Sequence, residues 1–294
     1  MLYVGGGYWD VVISEENDQI IGTQAYFVKR RYGFEYITQP PITQHNGMWI
    51  RESKSDKNEK KLSDQNKVIK DLISQIENIG LSYFQQNFSP TFTNYIPLLW
   101  SGYRQRTLYS FVIQSSKMKM EDIEKNFSKV IRYDIKNARE AFTIEESSNL
   151  DLFYSLHKST FARQGKAPSC SRELLQKIDE ACRKHDACRM ILTRDSDGNY
   201  YSGAYYVKDA MKVYYVLSGT DMNTRNTNSL AFLLYEGIKY ANELGLDFDF
   251  EGSVVEKIYE YFRKFGGEQV PYFNIRKIYS KNPAINFMIS KKLK

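Results

Sequence analysis

Residues 246–253, Leu-Asp-Phe-Asp-Phe-Glu-Gly-Ser, decide the fold. Their alternation predicts a strand over 246–250, with Asp247, Asp249 and Glu251 on one face and Phe248 and Phe250 on the other. Ahead of it, apolar residues recur at helical spacing over about 228–244 and stop at Gly245. Behind it, a shorter helical run over 254–264 ends before Gly266-Gly267, and a last strand is expected near 271–278. Three acids on one strand face are costly to bury unless they are paired or used.

Working back from the long helix, 212–219 (KVYYVLSG) and 200–207 (YYSGAYYV) read as hairpin strands that turn at Asp209-Ala210. A second turn at Asp195-Ser196-Asp197-Gly198-Asn199 joins them to a strand at 187–193. Helices at 149–163 and 171–185, a short strand at 142–146 and a charged helix over 120–140 come before these.

The first half repeats the order. Strands are expected at 9–14, 20–28 and 34–39, the last ending at Pro40-Pro41. Residues 51–66 are charged and read as an exposed loop. A helix carrying Val68, Ile69, Leu72, Ile73, Ile76 and Ile79 then stops at Gly80. Strands at 81–84 and 107–113 follow, with a short helical stretch between them. An internal repeat of about 130–150 residues accounts for this order economically, with domains at 1–118 and 119–294. The first copy lacks the strand and helices that precede the hairpin of the second. Met1 falls only a few residues before a strong strand, so the first domain is expected to be N-terminally truncated.

The chain has 294 residues, 42% of them apolar and 26% charged, the composition of a globular protein. A formal charge of +6 admits an anionic ligand without requiring one. Cys170, Cys182 and Cys188, with only His45, His157 and His185, fit neither a disulfide framework nor a metal-knuckle spacing, so no metal site is expected. No apolar run approaches the roughly 18 residues of a membrane span, and the N-terminus lacks a signal-like core. A cytoplasmic location is the expectation.

Several local wordings, taken in order, resemble one family. They are DFDFEGS (247–253), YFRKFGG (261–267), PYF (271–273), TFARQG (160–165) and the helix carrying Arg132 and Ile135-Lys136-Asn137-Ala138. In the first half Trp9-Asp10, Pro40-Pro41 and Gly47-Met48-Trp49 fit the same pattern. Together the chain resembles the Fem-like (FemAB-related) family of GNAT-fold acyl and aminoacyl transferases. The resemblance implies an α/β fold of two GNAT-like domains, each a mixed, mostly antiparallel sheet flanked by helices. Two departures stand out. No sustained heptads supply the coiled-coil arm of the peptidoglycan-bridge enzymes, which is linked to tRNA binding. The segment TDMNTRNTNS (220–229) also lacks the glycine turn that a CoA-using GNAT places before its long helix to hold pyrophosphate.

Site candidates follow from these patterns. Glu251 is the expected proton acceptor for an attacking ammonium, with Asp249 beside it as a substrate ligand. Ion pairs to Arg263, Lys264 or Arg276 are the structural alternative. Peptidoglycan Fem enzymes have a Phe-Lys pair implicated in stabilising the transfer intermediate, and Phe262-Arg263 resembles it. Arg263 or Lys264 would then face a developing oxyanion, or simply complement a helix C-terminus. Arg163, Gln164, Tyr215 and Ser253 are candidate substrate ligands, and Asn228 and Ser229 candidate donor-phosphate ligands or helix caps. Tyr205, Tyr206 and Tyr214 read as sheet packing, and Lys29-Arg30-Arg31 as a solvated hairpin tip.

The expected activity is transfer of an acyl or aminoacyl group from an activated ester or thioester to an amine. The donor is acyl-CoA or aminoacyl-tRNA, with no tightly bound cofactor. The acceptor is a small molecule or an amine of a peptidoglycan or lipid-linked precursor; DNA is not an expected partner. The alternative is a non-catalytic ligand-binding module that keeps the double GNAT fold.

Overall fold

The computed structural model describes residues 7–31, 33–222, 228–283, 286–287 and 289. The chain forms two compact units, Met1–Leu108 with Pro271–Lys294, and Tyr109–Val270.

In the first unit, β1 (Gly7–Glu16) and β2 (Gln19–Arg31) form an antiparallel hairpin. Its turn residues Asn17 and Asp18 take φ of 52° and 58°, a left-handed pair that short polar side chains tolerate. The strand β3 (Phe34–Thr38) stops at the proline pair, which offers no ladder donors. Next, β4 (Gly47–Ile50) pairs back onto β2. The helix α1 (Asn58–Asn78) leads to β5 (Tyr83–Phe88), which lies parallel to β3 through Tyr36–Tyr83 and Ile37–Phe84. A short helix, α2 (Ile96–Trp100), precedes β6 (Arg104–Ile113). Val68, Ile69, Leu72, Ile73 and Ile76 bury one face of α1, as their spacing predicts.

The second unit begins with α3 (Met120–Asn126) and α4 (Lys129–Ala141), followed by β7 (Thr143–Glu146). Helices α5 (Leu150–Ala162) and α6 (Arg172–Arg183) lead into the antiparallel strands β8 (Cys188–Arg194), β9 (Tyr200–Lys208) and β10 (Lys212–Thr220). The helix α7 (Ser229–Glu243) then crosses to β11 (Asp247–Asp249), which is parallel to β10. After α8 (Glu256–Arg263) comes β12 (Glu268–Ile278). Strand order in this unit is β6-β11-β10-β9-β8-β7. Each unit thus has a hairpin, a third strand, a crossover helix, and a strand parallel to the third, as the repeat implied.

Four expectations need correcting. Residues 58–66, read as loop, are the first turns of α1; they carry no apolar periodicity because that part of the helix faces solvent. Residues 120–140 are two helices, because Phe127 is buried and the Ser128 hydroxyl accepts from Ile131 N (3.3 Å) to cap a new start. The strand at 246–250 is confined to Asp247–Asp249. The unit boundary falls after Leu108 instead of after residue 118, and β12 returns to the first unit by pairing Phe273–Ile278 with β5.

Helix α5 sits directly on β10. A Cβ on Gly219 would lie 2.2 Å from the backbone N of His157. His157 donates from Nδ1 to Ser218 O (2.7 Å), which leaves Nε2 to accept from Ser169 Oγ (2.9 Å); burial holds its pKa below the usual histidine value. Gly219→Ala is therefore expected to push α5 off the strand and cost about 1–3 kcal/mol, read as a lowered thermal midpoint. An unchanged midpoint would refute this close approach.

Candidate functional site

The geometry that matters is where β10 and β11 part. They are paired only through Lys212–Asp247, Val213–Phe248 and Tyr214–Asp249. Beyond that point β10 bulges between Tyr215 and Leu217 and continues to Thr220. The other chain leaves the sheet: Phe250 N donates to Phe111 O (3.0 Å), and Glu251 and Gly252 both adopt left-handed φ, 58° and 51°. A left-handed conformation is a strained one for a glutamate.

Asp249 holds this turn. It is fully buried and accepts from Glu251 N (2.9 Å) and from Ser110 Oγ. It also forms an ion pair with Lys212 at 2.9 Å. Its charge is thus compensated by Lys212 and not by the Arg263, Lys264 or Arg276 considered from the sequence. Asp247, at the strand start, accepts from Ser116 Oγ. Glu251 lies past the strand and is half-buried. Burial, with the Asp249 carboxylate adding to it, pushes its carboxyl up to about 8.

Tyr215 packs into the core, its ring 5.9 Å from that of Phe262, and its hydroxyl donates to Ser218 Oγ. Burial pushes that hydroxyl up to about 12. Tyr261, raised by burial, is electrostatically coupled to Tyr215 and to Asp134 of α4. Asp134 is itself raised by burial, against which Lys264 acts. Lys264 is half-buried and its carbonyl accepts from Ser128 N (2.8 Å). Arg263 instead is exposed and bonded to Glu260 at 2.6 Å. Ser253 accepts from Val255 N (3.0 Å), a local turn before α8.

At the far end of β10, Thr220 N donates to Thr160 Oγ1 (2.8 Å) and Met222 N to Ser159 Oγ (2.8 Å). Arg163 and Gln164 follow one turn on, at the C-terminus of α5, and are exposed. Asn228 precedes α7 with φ 56° and makes no side-chain cap bond, contrary to its reading as a cap. Ser229 is buried and shares a hydrogen bond with Ser202 Oγ (2.7 Å). The rest of the predicted phosphate-turn segment, 223–227, lies outside the described residues. Of the tyrosines read as packing, Tyr205 donates to Asp179 (3.0 Å), Tyr206 to Leu233 O (2.8 Å) and Tyr214 to Asp209 (2.8 Å).

The structure therefore brings Asp249 and Glu251 together, and Tyr215 together with Phe262 and Tyr261. It places Arg263 on the surface with Glu260. Lys212, Ser110, Tyr261 and Asp134 were not singled out from the sequence. Lys212 opens a strand and meets Asp249 only across a parallel crossover, a pairing that local sequence does not carry.

The corresponding opening of the first unit, beyond the two β3–β5 pairs, is occupied by its own chain. Asn46 N donates to Asn87 O (2.7 Å), Ser89 N to Asn46 O (3.2 Å), and Asn46 bridges Phe88 before β4 begins.

Three antiparallel strands, a crossover helix, and a strand that parts from its parallel neighbour define the class: this is the GNAT arrangement. Residues 125–263 match the family described as acetyltransferase (GNAT) domain. Over nearly its full length the chain has the fold of FemX, with a TM-score of 0.73 at 13% identity, covering 97% of this chain and 91% of that one. The C-terminal domain of a chain assigned as a lysylphosphatidylglycerol synthetase from Agrobacterium fabrum superposes with a TM-score of 0.60 at 12% identity, covering 96% and 89%. A tandem GNAT protein from the clavulanic acid biosynthesis pathway gives 0.58 at 5% identity, covering 95% and 86%. The Fem-like, two-domain GNAT expectation is borne out as a fold. Comparison with curated proteins finds no significant match. Among the described residues no helix is long and apolar enough to cross a membrane.

Proposed function

We propose that the chain transfers an acyl or aminoacyl group from an activated ester or thioester to an amine, using the site where β10 and β11 part. The observation that carries this reading is Glu251, a half-buried carboxyl raised to about 8 and held in a left-handed turn at that parting. A base poised near neutral pH suits an ammonium acceptor. The ammonium gives one proton to the Glu251 carboxylate. The freed lone pair forms the new C–N bond and the carbonyl pair moves onto oxygen; on collapse the carbonyl reforms, the C–O or C–S bond to the donor breaks, and the second proton on nitrogen passes to the departing oxygen or sulfur, leaving a neutral amide. Lys264 suits the oxyanion better than Arg263, whose charge is already engaged by Glu260. Arg163 and Gln164, with Asn228 and the backbone N–H groups opening α7, are assigned to the donor's phosphates.

Among the fold relatives, one is described as being without acetyl-CoA, which favours a CoA donor, and the name of another joins lysine to a lipid, which favours a lipid-linked acceptor. The Fem-like resemblance points to aminoacyl-tRNA and to a peptidoglycan or lipid-linked acceptor amine. The experiment supplies labelled acetyl-CoA or charged tRNA with such amines and follows amide formation. Product from one donor is expected; a chain that binds donor and forms no product with any amine would favour the non-catalytic module.

A further inference from the structure

The first unit carries an apolar tip that its described residues leave uncovered. In α2, Pro97 and Leu98 turn inward and are buried, while Ile96, Leu99 and Trp100 are 48%, 52% and 64% exposed. Those three positions, i, i+3 and i+4, share one face of the helical turn. The backbone around the tip is well tied. Gly102 N donates to Leu99 O (3.0 Å), Tyr103 N to Leu98 O (3.0 Å), and the Tyr95 hydroxyl to Tyr103 O (2.7 Å). Holding three large apolar side chains together in water contributes nothing to the fold, because such residues stabilise only where they are buried.

The uncompensated charges around the tip have one sign. Lys70 of α1 is exposed and lies over the Trp100 ring, 5.5 Å from its centroid. Arg104 and Arg106 follow the tip directly, exposed at alternate positions at the start of β6. Residues 78–120 contain no Asp or Glu. The strip of α1 that meets α2 and its flanks carries Asn66, Lys70 and Glu77. Asn66 accepts from Asn94 Nδ2 (2.9 Å), and Glu77 is paired with Lys277 (2.6 Å), whose ammonium also donates to Ser101 O (2.6 Å). Asp71 lies on a different strip of α1, with Lys67 and Gln75, which bond to Glu16 and Ile13 O of β1.

We infer that α2 docks the chain on an anionic membrane surface. Ile96, Leu99 and Trp100 enter the headgroup boundary, and Lys70, Arg104 and Arg106 meet lipid phosphates. Tryptophan is favoured at that boundary, and each cation held near an anionic leaflet strengthens attachment. A protein partner suits the tip less. Three half-exposed side chains offer on the order of 300 Å², against roughly 800 Å² per partner in a stable protein interface. The inference stands on residues of the first unit alone and goes beyond the transfer reading, since it assigns a surface and not a substrate.

The test is flotation of the full chain with vesicles of phosphatidylcholine alone, and of phosphatidylcholine with phosphatidylglycerol. Binding to the anionic vesicles is expected, and it should fall as salt is added. L99S/W100S should weaken it about tenfold or more, and R104Q/R106Q about tenfold. In W9F/W49F, Trp100 is the one tryptophan left, and its emission should shift to the blue on anionic vesicles. That readout leaves the tip intact, so it decides the matter even where L99S/W100S lowers the thermal midpoint. No binding to anionic vesicles, equal binding to neutral ones, or an unmoved Trp100 emission overturns the inference. Self-association that L99S/W100S abolishes, with vesicles ignored, overturns it in favour of a second copy. Transfer to a soluble amine should be unchanged in L99S/W100S; a chain that docks and forms no amide sinks the transfer reading alone.

Discussion

Glu251→Gln is expected to lower the rate of acyl transfer at saturating donor by about 10²–10⁴, the usual worth of a positioned general base. Gln keeps the size and the backbone bond from residue 251 to Asp249 but cannot accept the proton. The wild-type rate should rise with pH through about 8, as Glu251 loses its proton, and the variant should lose that rise. Equal rates would remove Glu251 from the chemistry.

The same carboxyl makes a stability prediction of unusual sign. Its folded pKa of about 8 lies above the ordinary value of 4.5. Between those values the unfolded chain releases a proton that the folded chain retains, so stability falls as pH rises. The contribution is fully present below about 4.5 and lost as pH passes about 8, a change on the order of a few kcal/mol. Most folded-state carboxylates act in the opposite direction. Thermal midpoints of wild type and E251Q at pH 5 and pH 9 check this: the variant should gain on the wild type at the higher pH. A constant difference would mean that Glu251 is not desolvated in the fold.

Gly252→Ala is expected to cost about 3–5 kcal/mol, from a strained left-handed φ and a clash with fixed backbone together. A Cβ there would lie 2.2 Å from Tyr109 O and 2.6 Å from Ser110 Cα, and neither can swing aside as a side chain tip could. Because Ser110 also bonds Asp249, the turn that presents Glu251 should be displaced even in molecules that remain folded. Chemical denaturation and transfer rate should therefore fall together. A stable, active variant would show that the turn is not held against β6.

The residues that were legible in advance share a property: their role is written in local spacing. Alternation in β10 and the 3.6-residue recurrence in α1 follow from one buried face each, whereas β8, β9 and the first turns of α7 are buried on all sides and read as continuous apolar runs. The strand expected at 246–250 is one residue too long at each end, because the alternation of Asp247 to Glu251 hid the turn at Glu251-Gly252. The charged start of α1 had no buried face to betray it. Partners remote in sequence were unreadable for a different reason. Lys212 meets Asp249 through a parallel register, and Arg263 turns from the candidate oxyanion to Glu260 because a three-residue helical spacing puts that carboxylate closest.

The return of β12 to β5 has a consequence for how the molecule is made. The second unit occupies one uninterrupted stretch, 109–270, and can close as soon as that stretch has left the ribosome. The first unit cannot: β5 is paired on one side with β3, and its other ladder, from Tyr83 to Phe88, waits for Phe273–Ile278. The residues of β5 are thus made long before their sheet is completed. During translation they present an open strand edge of the kind that recruits wrong neighbours.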